Sequence, residues 1–295
     1  MTVWLSIDIG GTKISAAKIF NNQIVENKEL QTPKTNGSHQ IIKDVLVNLI
    51  SKYKGDVEYC SIATAGVVVA GRVRAMSANN LWGHKFFDLK TLVEGILNVP
   101  TYIINDAQAA AYCEYIKSDR KGDMGFITVS TGVGGGLVIN GQLLTGCNGV
   151  AGHIGHSQIS YDGVAKRCKC GRDNCLEVIA SGTAIAMAME KETNHICTAK
   201  DVFERYRLGD EVAKRIIEMS ASSVADAIAD LKVVLDLEYI VIGGSVGLAE
   251  GYVELIQLRL SQLPEIYQIS VTTAVCRHSS GLLGAYLWAK NIQMR

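Results

Sequence analysis

Apolar residues come in blocks along this chain, and the spacing inside the blocks changes from strand-like to helix-like and back. The first runs, Val3 to Ile9, Lys13 to Phe20 and a third from Ile24, are short and broken by Gly10-Gly11 and Asn21-Asn22, which predicts a meander of three strands. A helical spacing follows from about Ser38 to Tyr53, then a strand at Val57 to Ala63, a helix opened by Asp88, a strand at Thr101 to Ile104, and a helix from Ala107 to about Lys117. Strands alternating with helices imply a largely parallel sheet with one antiparallel flap. The second half restarts the theme with Phe126 to Ser130, a glycine loop, Gly136 to Ile139 and a turn at Asn140-Gly141. Helices are expected at about Gly182 to Lys191, at Ala199 to Tyr206 with Thr198 as N-cap and Asp201 in its first turn, and at Glu211 to Leu235. Strand Tyr239 to Ile242, helix Leu248 to Leu260, strand Ile269 to Val275 and helix Leu282 to Lys290 complete the pattern. The fold class is α/β, with two halves that start alike.

Composition narrows the partners. The 295 residues, 48% hydrophobic, suffice for a large core and about two domains. Lys plus Arg and Asp plus Glu both number 29, so no basic surface is available for nucleic acid or an anionic membrane, and small-molecule partners are expected. The N-terminus has no basic segment and places Asp8 where a signal peptide would be apolar, so a cytoplasmic location is expected. The charge-free stretch from Met124 to Gly152 is long enough to span a bilayer but holds nine glycines, and reads as buried strands and loops. Eight cysteines in a reducing compartment favour metal over disulfides where they cluster; Cys60, Cys113, Cys147, Cys197 and Cys276 are scattered and read as small hydrophobes.

Two glycine loops carry the first chemistry. A strand that ends in Asp8 and turns through Gly10-Gly11-Thr12 to Lys13 brings backbone N–H groups close to a ligand, and Ser130 to Gly136 repeats the design. One strand-Gly-Gly turn is usually only a hairpin; two at equivalent places point to phosphate. Neither the P-loop nor the dinucleotide G-x-G-x-x-G pattern is present. A third pair, Gly243-Gly244, precedes a helix and suits the adenosine end of a nucleotide. Gly243-Gly-Ser245-Val-Gly247 also matches the G-x-S-x-G elbow of an esterase, with His278 downstream and Glu250, Glu254 or Glu265 between; that rival leaves both loops unused.

Cys168, Cys170 and Cys175, with His156 twelve residues earlier, make a complete tetrahedral zinc set with no position left for water, so the site would be structural; three reduced thiols in a surface loop are the plain alternative. His153 could compete for the metal. Asn105-Asp106 stands between a strand and a helix. It reads either as an N-cap or, at the carboxyl end of a parallel strand, as a base for a hydroxyl, and Asp106 could serve as both.

Together, Asp8-Ile-Gly-Gly-Thr-Lys13, Ile104-Asn-Asp106, Ser130-Thr-Gly-Val-Gly-Gly-Gly136, Gly155-His156, Cys168-x-Cys-Gly-x-x-x-Cys175 and Gly243-Gly244 resemble the ROK family (repressor, open reading frame, kinase) over nearly the whole chain. The resemblance implies a duplicated two-lobed actin/hexokinase-like (ribonuclease H-like) fold with a structural zinc loop at 156–175. The sugar and phosphate lobe would span 1–118, joined by a C-terminal helix at 281–295, and the nucleotide lobe 119–280. It implies an ATP-dependent sugar kinase, a homodimer, with Mg-ATP as cosubstrate. ATP would be held by Ile7, Asp8, Ile9, Gly10, Gly11, Thr12, Lys13, Thr131, Gly132, Val133, Gly134, Gly135, Gly136, Gly243 and Gly244, with Asp8 acting indirectly on Mg²⁺. Asp106 would be the base, and Gly66, Asn80, Asn105, His153, His156 and Glu177 would meet the sugar, His156 holding zinc by its other nitrogen. Asn105-Asp-Ala-Gln-Ala-Ala-Ala111, Ala151-Gly-His-Ile-Gly-His156 and Gly243-Gly-Ser-Val-Gly-Leu-Ala-Glu-Gly251 look most like the branch that phosphorylates the 6-hydroxyl of N-acetylmannosamine in sialic acid breakdown. Members acting on glucose or N-acetylglucosamine, and sugar-sensing repressors, are the alternatives. Repressors carry an N-terminal winged helix, for which a loop beginning at residue 8 leaves no room. His153 stands where most members have glutamate; an imidazole accepts one hydrogen bond and donates one, which favours N-acetylmannosamine over glucose. Asn174 stands where glycine is usual and should take the left-handed conformation.

Overall fold

A computed structural model describes residues 2–34, 38–76, 81–161, 163–276 and 279–294. Strands β1 (Trp4–Ile9), β2 (Lys13–Phe20) and β3 (Gln23–Gln31) form the expected meander, with Asn21 and Asn22 turning at φ of 48° and 62°. Then come α1 (His39–Ile50) and β4 (Tyr59–Thr64). A small sheet of β5 (Val67–Val69), β6 (Arg72–Arg74) and β7 (Phe87–Asp88) follows, which the sequence pattern did not announce. Asp88 caps α2 (Leu89–Leu97) by accepting from the Thr91 N–H at 3.0 Å, and β8 (Thr101–Asn105) leads directly into α3 (Asp106–Lys117).

The second series consists of β9 (Met124–Val129), β10 (Val133–Ile139), β11 (Gln142–Leu143), α4 (Leu176–Ala180), α5 (Gly182–Thr193), α6 (Ala199–Arg207) and α7 (Glu211–Leu235), then β12 (Tyr239–Gly243), α8 (Gly244–Gly247), α9 (Tyr252–Ser261), β13 (Ser270–Thr273) and finally α10 (Ser280–Gln293). Thr198 and Asp201 form a reciprocal capping box at α6. The charge-free stretch is strands and loops, and among the described residues no helix is long and apolar enough to cross a membrane. One helix begins later than its apolar pattern suggests. Leu248 follows the single turn α8 and is exposed, and Gly251 at φ 82° interrupts the chain before α9 starts at Tyr252.

The two large sheets share one plan. Their orders are β3-β2-β1-β4-β8 and β11-β10-β9-β12-β13. In each, the first strand is antiparallel to the second and parallel to the fourth listed, which in turn is parallel to the edge strand. This is the duplicated ribonuclease H-like plan.

The chain divides into two compact units, 1–118 with 145–151 and 278–295, and 119–144 with 152–277. The first has a core of β1, β4, α1 and α2 side chains such as Leu5, Ile7, Ile62, Leu46 and Val93. Its closing helix α10 lies on α3, whose Ala107, Ala109, Ala110 and Ala111 present little bulk. Contact there is backbone to backbone: a Cβ at Gly284 would collide with the Ala109 carbonyl oxygen. Ser6 Oγ on β1 donates to the Leu282 carbonyl at 2.7 Å, tying strand and helix. The core of the second unit centres on α7, with Ile217, Val224 and Ile228 fully buried against β9 and β12.

Candidate active site

In the first unit, the β1–β2 turn, the end of β4 and the start of α3 supply the candidate groups. The turn closes with the Gly10 N–H donating to the Lys13 carbonyl at 3.0 Å, and Thr32 Oγ1 donates to the Gly10 carbonyl at 2.7 Å. Gly10 is therefore partly a hairpin glycine, whereas the space beside Gly11 is open, as close ligand approach requires. Thr12 and Lys13 are exposed, and Lys13 Nζ pairs with Glu29 at 2.8 Å, a surface pair of small energetic weight.

The cap of α3 is Asn105, not Asp106. Asn105 Oδ1 accepts from the Ala107 and Gln108 N–H groups at 2.9 and 3.1 Å, and its Nδ2 donates to the Gly66 carbonyl at 3.0 Å, so this buried amide is occupied within the fold. Asp106 is the first helical residue, its Oδ1 accepting from the Ala107 N–H at 2.8 Å. Asn105 takes over capping, so the Asp106 carboxylate is carried at the head of the helix on a fixed backbone.

Asp8 and Asp106 form an electrostatic pair. Asp8 is partly accessible, yet protein crowds its carboxylate, with Gly281 of α10 against it. Desolvation first, then the charge of Asp106, push the Asp8 carboxyl up to about 7, with Lys13 opposing. Folding therefore favours protonated Asp8: the stabilisation is complete below its ordinary value of 3.8 and is lost as pH rises through about 7. Accordingly, Asp8→Asn should raise the stability of ligand-free protein at pH 8 by about 1–2 kcal/mol, with the gain shrinking toward pH 5. Calorimetry at the two pH values checks this; an unchanged or lower Tm at pH 8 would contradict a strained pair. Two carboxylates that repel in this way suit a divalent cation, on which Asp8 would act indirectly.

In the second unit, His156, Cys168, Cys170 and Cys175 converge, with ligand atoms all within 4.8 Å of one another. Cys170 Sγ and Cys175 Sγ are 3.6 Å apart, and Cys168 Sγ lies 3.7 Å from His156 Nδ1. Tetrahedral zinc with bonds of about 2.3 Å to sulfur would set sulfurs about 3.8 Å apart, so the cluster fits that ion. Asn174 takes φ 52°, and its Oδ1 accepts from the Lys166 N–H at 2.8 Å, closing the knuckle that the usual glycine would close. Nδ1 is the His156 nitrogen that faces the Cys168 sulfur. His153 opens the short turn Ile154–His156 and is half-buried, and its side chain is not among the four converging groups.

The loop from Ser130 to Gly136 opens β10. Glu177 on α4 reaches it: Glu177 Oε2 accepts from the Val133 N–H at 3.1 Å. Gly243 is buried against the Phe126 ring, and Gly244, at φ 86°, packs on the Val129 carbonyl. Ser245 is an exposed helical residue without positive φ, so the strained elbow of an esterase is absent there, and that rival reading falls. Its histidine, His278, and the sugar candidate Asn80 lie outside the described residues. Sequence reasoning had marked Glu177 only by resemblance; its bond to the loop has no signature in spacing.

The duplicated sheets, the paired carboxylates and the loops that open β2 and β10 define an actin/hexokinase-like phosphotransferase class. The ROK family signature extends over residues 4–292, and the chain belongs to the ROK family. It is 43% identical over 293 residues to an N-acetylmannosamine kinase from Haemophilus influenzae Rd, covering 98% of this chain and 95% of that one. With an N-acetylmannosamine kinase from Escherichia coli O1:K1 it shares 45% over 288 residues, 97% of this chain and 98% of that one. Among solved structures, a ROK family glucokinase from Streptomyces griseus, in complex with glucose and AMPPNP, matches with a TM-score of 0.80 at 28% identity, covering 98% of this chain and 99% of that one.

Proposed function

We propose that this chain transfers the γ-phosphoryl group of Mg·ATP to the 6-hydroxyl of N-acetylmannosamine. The observation that carries phosphoryl transfer is the Asp8–Asp106 pair, one carboxylate at the turn of the first glycine loop and the other at the head of α3. The acceptor follows from the two N-acetylmannosamine kinases at 43% and 45% identity over nearly the full chain.

Asp106 acts as general base, its carboxylate taking the proton of the 6-hydroxyl as the hydroxyl oxygen attacks phosphorus; Asn105 fixes the backbone from which it works. Asp8 would help to place Mg²⁺, which would supply neutralisation of phosphate charge when bound. Backbone N–H groups of the Gly10–Lys13 and Thr131–Gly136 loops, other than those of Gly10 and Val133, which go to the Lys13 carbonyl and to Glu177, hold phosphate oxygens, and Gly243-Gly244 allows close approach of the nucleoside. Gly66, Asn80, His153, His156 and Glu177 bind sugar hydroxyls and the acetamide, with His156 presenting Nε2 to sugar and Nδ1 to a structural zinc. The chain acts in the cytoplasm as a homodimer.

The test is an ADP-release assay across N-acetylmannosamine, N-acetylglucosamine and glucose. The kcat/KM for N-acetylmannosamine should exceed the others by about tenfold or more, the scale of discrimination that one well-placed polar contact gives. A preference for glucose would overturn the acceptor while leaving the kinase standing.

A further inference from the structure

We infer that Glu177 is a positioning residue of the second phosphate loop, and that Gly132 is glycine to admit the Glu177 carboxylate. The inference rests on the kinase reading and adds a nucleotide-side role to a residue given only to the sugar.

The geometry is local to the second unit. Glu177 Oε2 accepts from the Val133 N–H at 3.1 Å, where the loop becomes β10. A Cβ at Gly132 would stand 2.5 Å from the same oxygen. Any larger residue would drive the carboxylate off the loop. The rest of the loop is held by the next few residues of the same stretch. The Gly182 N–H donates to the Ser130 carbonyl at 2.7 Å, and Thr183 Oγ1 donates to the Thr131 carbonyl at 2.7 Å. Glu177 thus takes an N–H while the head of α5 takes two carbonyls. All three contacts come from a segment that starts at Cys175, the N-cap of α4 and a member of the metal cluster. A carboxylate beside a loop meant for phosphate is a Coulombic cost. The arrangement makes sense if that carboxylate fixes the loop, since a hydrogen bond to an ionised acceptor is among the stronger ones and leaves the other oxygen for substrate.

The test is binding of Mg·ADP without sugar, by calorimetry, to wild type, Glu177→Gln, Glu177→Ala, Gly132→Ala and the double variant Gly132→Ala/Glu177→Ala. Each thermal midpoint is recorded to show that the variant is folded. Glu177→Ala should weaken Mg·ADP about tenfold, whereas Glu177→Gln, whose amide oxygen still accepts from Val133, should stay within about threefold of wild type. Gly132→Ala should match Glu177→Ala, and the double variant should be no weaker than either single one, because both remove one contact. Glu177→Ala binding Mg·ADP like wild type while the KM for sugar rises would overturn the inference, as would a fully multiplicative double variant. If wild type itself fails to bind Mg·ADP, the kinase reading falls and takes this inference with it.

Discussion

Asp106→Asn should lower kcat by roughly a hundredfold or more with little change in sugar affinity, the expected result of removing a general base. The substitution is nearly isosteric, and the amide oxygen can still accept from the Ala107 N–H that now meets Asp106 Oδ1 at 2.8 Å. Asn105 keeps its bonds to Ala107, Gln108 and the Gly66 carbonyl, so α3 should start where it does in the wild type. What changes is the proton acceptor and one negative charge beside Asp8. Losing that charge removes the second cause of the raised Asp8 carboxyl, so Asp8 should ionise at a lower pH in the variant. A steady-state comparison decides the matter. A drop in kcat with unchanged sugar KM supports Asp106 as base, and near-normal turnover would remove it from the mechanism.

Cys175→Ser should strip zinc and lower stability by on the order of 3 kcal/mol or more. Cys175 is fully buried, its sulfur 3.6 Å from that of Cys170, and its backbone starts the helix that carries Glu177. Losing the ligand therefore loosens both the knuckle and one contact of the phosphate loop. Burial and the neighbouring sulfurs push the Cys175 thiol up to about 12, a cost that a dication bound by thiolates would reverse. Native mass spectrometry should find about one zinc per wild-type chain and far less in the variant, whose Tm should fall by several degrees. Wild-type protein that is stable without zinc would overturn the structural site.

Much of this fold is legible in the sequence. The β1–β2–β3 meander, the full extent of α7 and the capping box at Thr198 are written in short-range chemistry: asparagine turns, a long helical spacing of apolar residues, and a Thr-Asp pair at fixed spacing. The repeat of Asp8-to-Lys13 in Ser130-to-Gly136 foreshadowed two sheets of identical order. What was not legible depends on contacts distant in sequence. Gly132 reads as a ligand glycine until Glu177, 45 residues on, is seen to fill its missing side chain. Gly284 carries no local signal, since its reason lies on Ala109. Asn105 and Asp106 are equally good caps by residue type, and the choice shows only in the bonds that Asn105 Oδ1 accepts from the Ala107 and Gln108 N–H groups. The strands of β5 to β7 are two or three residues long, too short for periodicity to register.

Every residue role assigned above serves one reaction, phosphorylation of the 6-hydroxyl of N-acetylmannosamine. Phosphorus NMR of a reaction holding the protein, Mg·ATP and N-acetylmannosamine tests it most directly. The γ-phosphate resonance should be replaced, mole for mole with ADP, by one phosphomonoester coupled to the two protons of the sugar's exocyclic methylene. An unchanged ATP spectrum, or release of free phosphate without a sugar ester, would contradict it.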